Sequence, residues 1–290
     1  TGDAVSDNVD FTPWLDGPDG VERDHNVSVG ESEFNSIQPA IDDASPGDTV
    51  NVAAGTYAES GIEVTTGYIS IVGASGTIVV APSGCPSSAP SAVFHLHADN
   101  ITLSGFKVDA NGQCTNGVHI GDLEEITVAG VAVSNTEVYG ANYGITLSWG
   151  SSYSSSSPNV VSNNNIHNND TGVLIDSAHW NRVEDNNIHD NSNSGILIGS
   201  CVQASCPADE PHDNTITGNT IKNNGTVDTG ISTEGIGLGN SAHNNKIFSN
   251  VGNGVHNNDE TVFNAEQNWW GDVTGPFHET LNPDGEGDAI

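Results

Sequence analysis

The sequence predicts an all-β fold, a parallel β-helix in which one chain winds coil upon coil into a single-stranded solenoid behind an N-terminal capping helix. Two observations carry this. The first is a repeat, N-x-[IV]-x-x-N, written twice in each copy. Asn159–Asn164–Asn169, Asn181–Asn186–Asn191 and Asn214–Asn219–Asn224 keep it whole, and Asn240–Asn245–Asn250 has Ala242 at one apolar position. Copies start 22, 33 and 26 residues apart, a period near 22 with two insertions, as stacked coils give. The second is the chemistry of the step. A five-residue spacing with Asn at both ends and a β-branched residue between suits a short strand followed by a corner. There Asn accepts left-handed dihedrals and bonds its own backbone. Stacked coils would align Val161/Val183/Ile216 and Ile166/Ile188/Ile221/Ile247 inward, with the Asn amides forming ladders. The plainer reading, a disordered polar tract, has no use for the interleaved β-branched residues.

The elements follow in order. Residues 1–28 are loop-rich and form an extension able to complete a neighbouring unit. Residues 29–270 are the solenoid and 271–290 a tail. Phe34, Ile37, Ala40, Ile41 and Ala44 recur at helical spacing, and Ser45-Pro46-Gly47 stops the helix; such a helix covers the open end of a solenoid. Alternating strands are expected at Ile62–Val64, Ile69–Val72, Thr77–Val80, Val93–Leu96, Ile101–Val108, Val118–Ile120, Ile126–Val133 and Ile145–Leu147. Gly-[IV]-x-[IL] openings at Gly117, Gly144, Gly172, Gly195 and Gly235 read as one strand type revisited, and roughly ten coils fit.

Thirty-eight Asp and Glu stand against five Lys and Arg, a net charge of −33 over 290 residues. That excludes an ordinary nucleic-acid footprint and matches a protein kept in concentrated salt, where self-repulsion is screened. No stretch reads as a signal peptide or a membrane span, and the chain reads as a mature or excised piece. Four cysteines allow three pairings. Their placement, within one insertion and about one coil apart, predicts Cys201–Cys206 and Cys85–Cys114, and hence an oxidising, extracellular setting. Sequons stand at Asn26, Asn100, Asn169 and Asn224, the last two also ladder positions.

Ser36-Ile37-Gln38-Pro39-Ala40-Ile41 through Gly47-Asp48-Thr49-Val50 to Gly55-Thr56-Tyr57 resembles the opening segment of right-handed parallel β-helix proteins of the pectin-lyase-like superfamily. The Asn coils resemble that superfamily's generic repeats, also seen in NosD proteins. The resemblance spans about Val29 to Trp270 and implies the fold and its right hand. It leaves activity open, since lyases, hydrolases, adhesins and inert surface proteins share such repeats.

The two ends match each other. In the proteins this chain resembles, the closing segment Asn268-Trp269-Trp270-Gly271 continues as Gly-Asp-x-Val, a short strand and Pro-Trp-Leu. Here that continuation is Gly2-Asp3-Ala4-Val5 to Pro13-Trp14-Leu15, while Gly287-Asp288-Ala289-Ile290 repeats its first four residues. Three arrangements satisfy this: one period of a tandem array, a subunit whose first strand completes the preceding subunit, or a first strand that returns to its own solenoid. The first two propagate without closing. They place Val5, Val9, Phe11 and Trp14 against Trp269, Trp270 and Ile290 of a neighbour.

Other chemistry is thinner. A lyase on this fold needs cationic groups that five scattered bases do not supply. A hydrolase would use neighbouring carboxylates, for which Asp176, Glu184, Asp185 and Asp190 form the best cluster, with His179, His189 and Arg182 nearby and Trp149 and Trp180 able to stack on sugar; the plainer role of Glu184, Asp185 and Asp190 is that of solvated acids. His167 and His189 would lie one above the other outside, continued by Lys222 and Phe248, too few donors for a metal. Copper delivery has no methionine or cysteine cluster to support it. Ca²⁺ suits Gly-rich acidic turns at Asp16/Asp19/Asp24 or Asp284/Glu286/Asp288, and no cofactor is required. The expectation is an extracellular or cell-surface structural subunit of a halophile, of archaeal type by its acidity, that assembles with copies of itself. The alternative is a carbohydrate-active enzyme or adhesin that binds surface polysaccharide; neither reading calls for nucleic acid or membrane insertion.

Overall fold

The computed structural model describes residues 23–28, 34–86, 90–121, 127–149, 151, 155–199, 210–225 and 229–290. Three parallel sheets of nine, eight and eight strands run the length of one solenoid. Each coil contributes one strand to each sheet, three per coil where the repeat suggested two, and the described residues make eight full coils. The third strand is hidden from the Asn repeat because it begins with Gly, not Asn.

Each sheet sends fixed columns inward. In the first, Val133, Val161, Val183, Ile216 and Ala242 are in register. In the second, Val138, Ile166, Ile188, Ile221 and Ile247 are. Every one is fully buried. The third sheet turns two residues inward per strand, such as Val173 and Ile175 above Ile196 and Ile198. Parallel strands stacked in register place like on like, so apolar columns, β-branched except at Ala242, run through the bore.

Corners come from the residue before each ladder Asn. Asn163, Asn168, Asp185, Asp190, Asn223 and Asn244 all have φ between 51° and 57°. The repeating Asn therefore does not itself supply the left-handed turn; its neighbour does, and the repeating Asn points inward. The glycine opening also shifts by one element. Gly117, Gly144, Gly172 and Gly195 are followed in the stack by Gly230, not Gly235, which occupies a turn with φ of 67°. A Cβ on Gly172 would meet Gly195 O at 2.6 Å and Asn191 Nδ2 at 2.9 Å, so only Gly lets adjacent coils approach.

The helix spans Ile37–Asp43, with Ile37, Ala40 and Ile41 buried over the first coil. Ser36 provides no side-chain cap. Instead Glu59, from the coil beneath, accepts the Ile37 N–H at 2.9 Å and the Gln38 N–H at 3.4 Å, placing a carboxylate at the positive end of the helix. The ladder of strands starts before it, at Asp24–Val27, which pairs with Thr49–Val52. Of the expected strands, Ile62–Val64 and Thr77–Val80 match. Ile101–Val108 is two strands, Thr102–Ser104 and Lys107–Asp109, parted by Gly105 at φ 85°. Ile126–Val133 reduces to Ala132–Ser134 among the described residues. Cys85 and Cys114 are joined in a disulfide; Cys201 and Cys206 lie outside the described residues.

Candidate assembly interface

The inward asparagines form three hydrogen-bonded ladders, and their last rungs define the carboxy-terminal rim. In the second ladder Asn186 donates to Asn219 Oδ1, and Asn219 to Asn245 Oδ1, each at 3.0 Å. Each Oδ1 also accepts the backbone N–H of the Asn one coil earlier. The amide nitrogen also reaches back along the stack, from Asn219 Nδ2 to Val183 O at 2.8 Å. Buried backbone groups at every corner are thereby satisfied. Asn268 closes this ladder, accepting from Asn245 Nδ2 at 3.0 Å.

The third ladder ends differently. Asn169, Asn191, Asn224 and Asn250 hand on in sequence, and the final acceptor is Asp288. Its carboxylate takes the Ser249 N–H at 2.8 Å, the Asn250 N–H at 3.0 Å and Asn250 Nδ2 at 2.9 Å. A last rung has nothing further to donate to, so an acceptor-only side chain suffices. The rest of the tail is fixed around it. Gly287 lies so close to Trp270 that a Cβ would stand 2.5 Å from the Trp270 carbonyl oxygen. Asp288 N–H donates to Trp270 O at 2.8 Å, and Ala289 O accepts the Gly254 N–H at 2.7 Å, extending the third sheet. Ile290 then turns into an open groove of about 610 Å³, walled by Val255, Val262, Phe263, Trp270 and Leu281. Val262 is 80% exposed, Leu281 83%, Ile290 47% and Trp269 46%. Trp270 is buried against the last coil while Trp269 meets Phe248 edge-on, 5.4 Å between ring centres. Among the described residues the groove at the rim is thus lined mainly by apolar side chains, with Asn257, Asn264, Glu266 and His278 between them. Val5, Val9, Phe11 and Trp14 lie outside the described residues, as do Asp16 and Asp19.

Asp176, Glu184 and Asp185 are not brought together. Asp176 ends a third-sheet strand, Thr171–Asp176, whereas Glu184 is on the first sheet and Asp185 is its corner residue. Glu184 accepts from Arg182 at 2.6 Å. Burial pushes the Asp176 carboxyl up to about 6. Its register partner one coil on is Gly199, and the next is Glu234, a carboxylate that sequence reading passed over because 58 residues of chain separate the two.

On the second sheet His167 stacks on His189 at 5.1 Å between centres, with Tyr139 on the other side at 5.4 Å. Lys222 and Phe248 continue the column as expected. Of the sequons, Asn26 and Asn100 are exposed, while Asn169 and Asn224 are buried with both amide atoms engaged in the ladder. Asp288 spends both carboxylate oxygens on the ladder, and Asp284 stands in an exposed turn.

Fold and coil stack together define a right-handed parallel β-helix of the pectin-lyase type. A family model described as periplasmic copper-binding protein (NosD) matches residues 41–275, and the chain belongs to that family. Among solved structures, the A-module of Azotobacter vinelandii mannuronan C-5 epimerase AlgE6 aligns with a TM-score of 0.54 at 18% identity, covering 80% of this chain and 71% of that one. Pectate lyase Pel9A aligns with 0.54 at 15% identity, covering 89% and 83%. The Aspergillus niger pectin methylesterase gives 0.54 at 13%, covering 84% of each. These likenesses establish the fold. No curated protein matches the chain.

The described residues do not fit a copper centre. The densest imidazole group is His95, His97 and His119, yet His95 stacks on His97 with planes 24° apart, so ring faces rather than nitrogens meet. His95 Nε2 is bonded to Gly121 O and His119 Nε2 to Ser148 Oγ, both at 2.9 Å. No three His, Cys, Asp or Glu among the described residues converge on one point. Nor is any helix among them long and apolar enough to cross a membrane.

Proposed function

We propose that this chain is an extracellular structural subunit of a halophile that assembles head to tail, its N-terminal strand completing the carboxy-terminal coils of the preceding copy. The observation that supports this most is the apolar groove beside Ile290, next to a closing segment, Gly287–Ile290, that Gly2–Val5 matches with Val in place of Ile at the fourth position. A solenoid end left uncovered exposes both core and edge hydrogen-bonding groups, and a heterologous contact between unlike ends extends into a fibre. The net charge of −33 fits surroundings of concentrated salt. Electron microscopy and sedimentation at molar NaCl test this. Polymers are expected from the full chain, and removal of residues 1–15 should abolish them while the far-UV β signal stays. Polymers of normal length after that removal refute it.

A second reading, a carbohydrate-active site, draws on Asp176 and Glu234. They share one outward column with Gly199 between, which at about 4.8 Å per coil sets their backbones roughly 9.6 Å apart, near the upper end for an inverting pair of carboxylates. Release of reducing ends from neutral polysaccharides, lost in Asp176→Asn, is its test.

A further inference from the structure

We infer that the corner between the first and second sheets is a binding groove for a neutral, hydroxyl-rich oligosaccharide. The groove is open, about 540 Å³, and runs past four successive coils from Gly73 to Asn165. No residue of the third sheet lines it, so it lies apart from Asp176 and Glu234. It needs no second copy of the chain.

The backbone cuts this groove. At most coils the left-handed corner residue carries a side chain, as at Asn135, Asn163, Asp185 and Asn244. At the third coil it is Gly105, with φ of 85°, and a Cβ there would run into the Gly73 carbonyl oxygen. Bare backbone therefore meets bare backbone, and the wall of corner side chains drops. Gly76, with φ of 96°, widens the gap one coil earlier. Three coil rises of about 4.8 Å make a trough about 14 Å long, and its volume falls within the range of about 300–1,000 Å³ usual for small-molecule sites.

The polar groups in the trough decide the ligand. Lys107 Nζ lies 2.6 Å from Glu137 Oε2, so a donor and an acceptor stand side by side. Glu137 Oε1 is steadied by His167 Nε2 at 3.2 Å. Asn163 is exposed, and its amide makes no hydrogen bond among the described residues. Asn165 spends its Oδ1 on Asn187 Nδ2 at 2.8 Å and His189 Nε2 at 3.0 Å, which leaves its own Nδ2 without a partner among them. Asn135 gives its Nδ2 to Ser134 Oγ at 3.3 Å and keeps its Oδ1. Such mixed donors and acceptors suit hydroxyl groups, each of which both donates and accepts, and bonds to the charged pair are the stronger ones. An anion would meet Glu137 in the groove and a net charge of −33 around it. A cation would meet Lys107. An apolar ligand would find only Phe106, which is 1% exposed.

Calorimetric titration of the full chain, in NaCl that keeps it folded, tests this with cellotetraose, maltotetraose, mannotetraose and tetragalacturonate as probes. At least one neutral tetraose should bind, and tetragalacturonate at least about tenfold more weakly. Asn163→Gly removes the amide while glycine takes the left-handed corner freely, and should weaken binding at least about threefold with an unchanged melting temperature. Glu137→Gln keeps the shape and removes the charge, and should weaken it about five- to tenfold. Ser75→Trp fills the trough from its exposed edge and should abolish binding. Three results overturn the inference: no neutral tetraose bound at millimolar concentration, tetragalacturonate bound as tightly as the neutral probes, or unchanged affinity in all three variants. Binding lost in Asp176→Asn but kept in the groove variants also overturns it, by placing the sugar on the third sheet.

Discussion

Asp48 illustrates how much one buried acid can hold. It is 1% exposed and bonds His25 Nε2 at 2.9 Å, the Arg23 N–H at 2.8 Å and the Ser45 N–H at 2.9 Å. Burial alone would raise its pKa, but the Ser45 N–H, the His25 ring and the Arg23 N–H outweigh burial and hold it below the usual carboxylate range. Its stabilisation is therefore present above the unfolded value near 4 and lost as pH falls through the folded one. Asp48→Asn should cost about 2–4 kcal/mol at pH 7 in thermal unfolding, with the difference shrinking below about pH 4. Asp176 has the opposite sign. Its folded pKa of about 6 lies above the unfolded value, so ionisation above that pH opposes folding. Asp176→Asn should stabilise by up to about 3 kcal/mol at pH 8 and by nothing below about pH 4. Neither role is written in the local sequence. Asp48 follows a turn signal, Ser45-Pro46-Gly47, and its partner His25 is 23 residues back; only the stacking of strand on strand brings them together.

Among the elements, the Asn ladder is the one the sequence displays most openly, and it makes a graded prediction. Asn219→Asp keeps the acceptor for Asn186 but loses the donors to Val183 O and Asn245 Oδ1. It also places a charge in the bore. That change should cost more than 3 kcal/mol, or about the penalty of an unpaired buried charge. At the ladder's end, Asp288→Asn keeps one acceptor oxygen for Asn250 and loses the one that takes the exposed Ser249 N–H, and should cost only about 1–2 kcal/mol. Equal losses at both positions, by thermal denaturation, would contradict the ladder's polarity. The repeat revealed the two Asn-flanked strands and their inward columns. The Asn repeat did not include the third strand, which the Gly-[IV]-x-[IL] openings marked as a strand type of its own without showing that it completes the same coil. Nor did it reveal that the left-handed residue is the one before each Asn, since Asn, Asp, Gly and Ser all serve there.

For the whole molecule, charge and the cross-link are the levers. With a net charge of −33, screening of self-repulsion should raise the melting temperature steadily from 0.1 to 3 M NaCl; a flat response would remove the argument for a high-salt habitat. The Cys85–Cys114 bridge spans 29 residues, and Cys114→Ala with Cys85→Ala should cost about 3.6 kcal/mol in the loop-entropy account. By itself the sequence determined that the chain coils, which residues point inward, and that its two ends carry one motif, because period and side-chain chemistry are local properties copied in every coil. Only the tertiary structure decided the number of strands per coil, the separation of Asp176 from Glu184 and Asp185, and the seating of Asp288 as a ladder's last rung. Those depend on which residues the winding places side by side, and neighbours across coils are 21 to 39 residues apart in the chain.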